Sequence, residues 1–347
     1  MVLPKPGTVT DLINSLLDRG YNQTVQPVLT AVANATTSGL MGRRLAELQA
    51  EADRLAAAGE KLDPQNPILR ALLADLENTM QANARLVDTA AAPLQSSAQD
   101  AAGKIQRQLA LPGVTDAQLN RMGIGWNRPD PDAIARLVQY AQSDAWAAEL
   151  ARYGDNVVGI INNQAIRGIV SGWGPLRTAR EITRMTQTLP AYQANNLLRT
   201  MQLTSYRDAT AMHQTANRDI AQRVIRIAAL DLRTCLACID QHGAVLWDSE
   251  NNAGQSVPRV NDHHSGRCTS FIEVKGYSWN IQRGGDWFAS LPPERQQQQA
   301  SFADSPGKWD AFLRGQLQLS DFVGTYTDPV FGDMLREASL TGALKGI

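Results

Sequence analysis

Residues 222–247 read QRVIRIAALDLRTCLACIDQHGAVLW. The segment 222–230 alternates β-branched apolar side chains with polar ones, the pattern of a half-buried strand. A turn then carries Cys235 and Cys238, and Gly243–Trp247 returns as a second strand. Downstream, TSFIEV at 269–274 makes a third. The stretch therefore predicts a small antiparallel sheet with a cysteine pair at one end.

Helices are expected on both sides of this sheet. In TVTDLINSLLDRG, Thr8 is placed to cap a helix, Asp11 follows three residues on, and Gly20 reads as its stop. Leu45, Leu48, Ala52 and Leu55 recur at helical spacing, and so do Leu69, Leu73, Leu76, Met80 and Val87 after the break at EKLDPQNP. Pro93 and ALPGVTD interrupt that pattern. GWNRPDPDAIARLVQYA restarts it, with Asp130 as cap, Pro131 in the first turn, and Ile134, Leu137, Val138 and Ala141 facing inward. GIVSGWGPLRTAREITRMTQTLP reads as helix, turn at Gly172–Pro175, then helix. A further long helix starts at Pro190, with Leu198, Met201 and Met212 among its apolar positions. Past Gly276 the chain again looks helical. The fold class is mainly α with a small antiparallel β-sheet. Its divisions are an N-terminal helical arm (1–125), a sheet-bearing core (126–276) and a C-terminal helical extension (277–347).

Composition bounds the function. Length suggests two or three units of about 100–200 residues, and 43% hydrophobic with 19% charged residues is ordinary for a soluble globular protein. No apolar run approaches the roughly 20 residues that span a membrane. The N-terminus lacks a basic start followed by an apolar core, so no secretory signal is read. Three cysteines make no disulfide framework and point to a reducing compartment. Net charge is −1, yet Ile161–Leu230 carries nine arginines, no lysine and three acids. Arg177, Arg180 and Arg184 are the candidate contacts to DNA phosphates or to an acidic partner, against the plain alternative of a solvated helix face.

The third cysteine, Cys268, follows His263 and His264 in DHHSGRCTSF. A Cys-x-x-Cys turn aims two sulfurs at one space, half of a tetrahedral site. Cys268 with His263, or with His264 as the alternative ligand, supplies the other half. Zinc suits three thiolates and an imidazole, and four protein ligands close the site, so the zinc is structural. A metal-free thiol pair and plain buried cysteines are the other readings. The enzymatic alternatives are a zinc-dependent nuclease or a transferase. They lack a second downstream histidine and a Glu-x-Glu pair, and no nucleotide-loop or hydrolase motif is present. A general DNA-binding zinc module is a further alternative.

The order of LLRTMQLTSYRDAT (197–210), ALDLRTCLACIDQHGAV (229–245) and HHSGRCTS (263–270) resembles the phage minor head proteins typified by protein F of phage Mu. The resemblance covers about residues 126–276, and WFASLPPERQQQ with GKWDAFLRGQL is similar to their tail segment. His263 and Arg267–Thr269 match the family's last motif; Gly266 stands where many members have a further cysteine. The absent motifs argue against an enzyme, and the resemblance implies a structural virion component, made in the host cytoplasm and associated with the portal. Its implied partners are the portal and other head proteins, and its implied roles are head assembly and DNA packaging or delivery. Packaged double-stranded DNA is the further partner weighed for the arginines.

Overall fold

The structure, a computed structural model, describes residues 6–111, 115–121, 126–127, 143–276, 279–301 and 306–341. Helices dominate: α1 (Pro6–Thr37), α2 (Gly39–Ala58), α3 (Pro67–Ala110), α4 (Asp116–Arg121), α5 (Asp144–Val170) and α6 (Pro175–Ala216) come first. Then follow β1 (Ala221–Ile227), α7 (Leu236–Asp240), β2 (Val245–Asp248) and β3 (Thr269–Val274). The chain continues through α8 (Gly284–Ser290), α9 (Pro293–Ser301), α10 (Pro306–Leu313), a 3-10 turn (Leu319–Phe322) and the hairpin β4 (Val323–Asp328) and β5 (Gly332–Glu337). The expected class, mainly helical with a small antiparallel sheet, is what the chain adopts.

Two compact units divide the chain. One comprises residues 21–94 and 138–199. Its helices bury the anticipated seams: Leu45, Leu48, Ala52 and Leu55 of α2, and Leu69, Leu76, Met80 and Val87 of α3, are all nearly inaccessible. Leu72, not Leu73, is the buried leucine of that turn, because the observed stripe follows i, i+3 from Leu69. Two buried aromatics place polar atoms on partners: Trp146 Nε1 donates to Asp88 at 2.9 Å, and the Tyr153 hydroxyl donates to the Pro190 carbonyl at 3.0 Å. Pro93 and Pro190 lie inside α3 and α6 and break neither. Proline in a helix interior costs about 3 kcal/mol, and here Ala90, Ala91 and Leu94 around Pro93 are all buried, so packing outweighs that cost. The helix expected over 125–141 lies, apart from Trp126 and Asn127, outside the described residues.

The other unit comprises residues 1–20, 95–137 and 200–347. Its sheet has the order β2-β1-β3, antiparallel throughout. Alternation along β1 and β3 sends side chains to two cores. Ile225, Ile227 and Phe271 pack with Leu17, Ala98, Ala102, Ile105 and Leu109 on one face, while Val224, Ile272 and Val274 pack with Trp247 and Val257 on the other. Gly20 does not stop α1. A Cβ at Gly20 would fall 2.0 Å from the Ser97 Oγ of α3, so the glycine is a point of close helix approach. Two further expectations are corrected. The cysteine turn is a short helix, α7, and the C-terminal segment is not all helix, since β4 and β5 form a second two-stranded sheet.

Candidate metal centre

Cys235 is the N-cap of α7, in extended conformation, and its Sγ accepts from the Cys238 backbone N–H at 3.4 Å. Capping by a thiol folds the Cys-x-x-Cys segment back on itself and brings both sulfurs to one side. Neighbours fix the cap. Glu337 of β5 accepts from the Leu236 N–H at 3.0 Å and from Lys308 at 2.8 Å, and Asp231 holds Arg267 through a two-armed ion pair at 2.5 and 2.6 Å.

The strand β1 and the loop before β3 bring up the rest. Cys235, Cys238 and His263 have ligand atoms all within 4.8 Å of one another, and so do Cys238, Asp262 and Cys268. Cys238 belongs to both groups and joins them. The five residues converge on one small volume compatible with a metal site. Cys238 and Cys268 are buried, His263 half-buried.

The imidazole is already oriented. His263 Nδ1 lies 2.9 Å from the His264 carbonyl, which only accepts, so Nδ1 carries a proton and Nε2 is the nitrogen turned toward Cys235 and Asp262. Burial would lower its pKa, but the hydrogen bond to Cys235 and the Asp262 carboxylate outweigh that and push it up to about 10, so without a metal the ring is protonated and a metal ion would displace the Nε2 proton. Outer hydrogen bonds of this kind fix the tautomer of metal-bound histidines. His264 itself points elsewhere. Its Nε2 lies 3.3 Å from Asp328, and its ring stacks on Tyr326 and meets Phe331 edge-on. Of the two candidate histidines, His263 is the one brought to the cysteines.

Asp262 was not anticipated, although it directly precedes His263. Its Oδ1 accepts from the Cys238 thiol at 3.2 Å and the His263 N–H at 2.9 Å. Its Oδ2 accepts from the Cys268 N–H and from Arg207 Nη2, both at 2.8 Å. Burial would raise its pKa, but Arg207, His263 and Arg226 outweigh that and hold it at about 2. The hydrogen bond from Cys238, joined by one from His263, pulls the Cys235 thiol down to about 5. Cys238, which donates to its neighbours, is pushed up. The metal-free cluster thus pairs a low-pKa Cys235 sulfur with the His263 ring, and soft N and S donors of this kind suit a divalent transition ion once the proton between them is displaced.

The three arginines singled out on α6 belong to the unit of residues 21–94 and 138–199, and all are exposed. Arg184 pairs with Glu181 at 2.6 Å, and Arg177 stacks 4.0 Å over the Trp173 ring. Arg180 has neither contact among the described residues. Other arginines of the basic stretch serve the fold: Arg207 pairs with Asp262 and Arg223 with Glu273.

Comparison with known proteins returned nothing similar: no family model, no curated protein and no solved structure matches the chain. Among the described residues, no helix is long and apolar enough to cross a membrane.

Proposed function

We propose that this chain is a structural minor head protein of a tailed phage, similar to protein F of phage Mu, whose cysteine cluster holds one structural zinc ion. The observation that carries the zinc reading is the convergence of Cys235, Cys238, His263 and Cys268 from α7, the following loop and the edge of β3. When bound, the ion would link these segments and contribute directly to folding. Two of the three sulfurs and the nearby carboxylate are buried, with Cys238, Cys268 and Asp262 at 2%, 4% and 2% exposure. Catalytic zinc needs an open position for water or substrate, so this enclosure favours a structural role over the nuclease and transferase alternatives.

The head-protein reading rests on the motif order from Leu197 to Ser270. In that setting the protein is made in the host cytoplasm and resides in the virion at the portal vertex. Its partners are the portal and neighbouring head proteins. The exposed arginines of α6 are available to packaged DNA through sequence-independent phosphate contacts. Two measurements test the proposal. Elemental analysis of purified protein should find about one zinc per chain; metal-free protein with three freely alkylated cysteines sinks the zinc reading. Antibody labelling or electron cryomicroscopy of intact virions should find the chain at the portal vertex. Its absence from virions sinks the head-protein reading.

A further inference from the structure

The turn between α5 and α6 presents apolar side chains to solvent. Val170, the last residue of α5, is 80% exposed. Ile166, one turn earlier on the same face, and Leu176, in the first turn of α6, are each 38% exposed. Trp173 lies between them, half-buried. A Cβ added at Gly172 or Gly174, on either side of the tryptophan, would meet nothing within 4 Å.

The turn is nevertheless fixed. Gly172 takes a left-handed φ of 76°. Its N–H donates to the Ile169 carbonyl at 3.0 Å, and the Trp173 N–H reaches back to the Gly168 carbonyl at 2.9 Å. These paired bonds form a Schellman helix end. The indole lies over Gly168, where an added Cβ would fall 2.7 Å from a ring carbon, and Arg177 stacks 4.0 Å over the same ring. The exposed apolar residues are thus held in place, so docking them costs little ordering entropy.

Charge narrows the choice of occupant. From Asn156 to Arg180 the chain has three arginines, Arg167, Arg177 and Arg180, and no other charged residue. Arg167 is three residues from Val170, and Arg177 adjoins Leu176. Guanidinium groups fork onto phosphate oxygens. The occupant must therefore offer an apolar interior with anionic groups at its border. A DNA duplex offers phosphates and no matching apolar layer. A stable protein interface takes about 20–30 residues a side, more than this turn provides. A lipid surface takes only a few side chains, seated below the headgroup phosphates with tryptophan at that boundary.

We infer that the α5–α6 turn is a docking point for an anionic lipid surface. Ile166, Val170 and Leu176 enter the acyl layer, Trp173 sits at the headgroup boundary, and Arg167 and Arg177 meet lipid phosphates. The insertion is shallow and reversible, because a single apolar tip with two adjacent cations is a weak anchor. It depends on neither the metal reading nor the head-protein reading.

The test uses the full chain and vesicles of phosphatidylcholine, alone or mixed with phosphatidylglycerol. Wild-type protein should sediment with the mixed vesicles at low salt and not with the neutral ones, and added salt should weaken binding. Lipids brominated on their acyl chains should quench part of the tryptophan fluorescence, and that part should be missing in Trp173→Phe. Val170→Asp with Leu176→Asp should weaken binding by at least about tenfold. Its melting temperature should stay near wild type, because both side chains are exposed. If that variant fails to fold, Arg167→Gln with Arg177→Gln decides the matter, with an expected loss on the order of tenfold. A folded wild-type chain that ignores the mixed vesicles overturns the inference. So does equal binding to neutral vesicles, which removes the arginines from the contact. Binding that survives the substitutions, or that leaves Trp173 unquenched, puts the contact elsewhere on the chain and overturns it too. A chain that ignores vesicles but photo-crosslinks from position 170 to a neighbouring protein in virions gives the turn to a protein partner instead.

Discussion

The Asp262 carboxylate fills the space over Gly266: a Cβ at that glycine would lie 2.3 Å from Asp262 Oδ2. The carboxylate is not a loose end, because Arg207 and the Cys268 N–H each hold it at 2.8 Å. Gly266→Ala must therefore displace a buried, fully bonded anion. We expect a loss of about 1–3 kcal/mol in urea unfolding, the range for overpacking a tight interior. In an Asp262→Ala background the same methyl should cost much less. Strict additivity in this double-mutant cycle would mean the two positions do not compete for space. A larger side chain at 266, cysteine included, would meet the same carboxylate.

His263 and His264 are adjacent but have separate roles. His263→Ala removes a nitrogen that lies among the sulfurs, and cobalt binding should fall by more than the roughly 10–100-fold typical of an outer-shell loss. His264→Ala removes contacts to Tyr326, Phe331 and Asp328. It should leave cobalt binding at wild-type strength and lower stability by about 1 kcal/mol or less. A cobalt titration in which His264→Ala loses the metal and His263→Ala keeps it reverses the assignment.

Part of this centre is legible in the sequence. The strands β1, β2 and β3 announce themselves by β-branched alternation, and the cysteine spacing marks a ligand pair. Local patterns show nothing of Arg207 and Arg226, whose roles depend on partners 55 and 12 residues away. Asp262 reads as an ordinary loop acid until Gly266 folds over it. The helices running through Gly20, Pro93 and Pro190 defeat local rules because burial on either side outweighs the propensity cost. The hairpin β4–β5 escapes notice because one face is solvated, and its alternation is carried by Thr325, Tyr326 and Thr327 in place of a run of apolar residues.

Acid should destabilise the protein partly through His242. This buried residue accepts the Ala228 N–H on its ring Nδ1 at 2.9 Å. Protonation would destroy that acceptor and bury a cation. Burial, reinforced by Arg226 and Arg283, lowers its pKa to about 4 from an ordinary value of 6.5. Between these values the unfolded chain binds the proton and the folded chain does not. Stability from this residue is complete above about pH 6.5 and declines as pH falls toward about 4, by roughly 3 kcal/mol in all. His242→Gln should flatten that part of the profile relative to wild type. Parallel urea-stability profiles for the two proteins over this range would exclude His242 as the cause.

Leu17 and the stretch from Ala98 to Leu109 belong to the core beneath the sheet. Leu17, Ala98, Ala102, Ile105 and Leu109 pack against Ile225, Ile227 and Phe271, and Gln106 donates to the Ser270 carbonyl at 2.9 Å. A chain starting at residue 126 loses this wall entirely. We expect it to be insoluble or molten and to retain no stoichiometric metal, with near-ultraviolet circular dichroism reporting the lost packing around Tyr206 and Phe271. A truncated protein that is monomeric, cooperative in melting and metal-loaded would show that the sheet needs only its other face.

The arginines of α6 separate by their contacts. Arg184 is engaged by Glu181 at 2.6 Å and Arg177 by the Trp173 ring at 4.0 Å, which leaves Arg180 as the member free to meet a phosphate. Because Arg180 is exposed and makes no ion pair among the described residues, Arg180→Glu should leave the melting temperature close to wild type. If the helix faces DNA, binding to a short duplex should be independent of sequence and should weaken steeply with salt. Each lost phosphate contact lowers the slope of log affinity against log salt by about 0.9. Arg180→Glu should therefore reduce that slope by about one contact or more, since the new carboxylate also repels the backbone. Glu181→Gln should act oppositely by releasing Arg184, raising affinity at low salt. Wild-type protein that binds no duplex at low salt assigns these arginines to a protein partner instead.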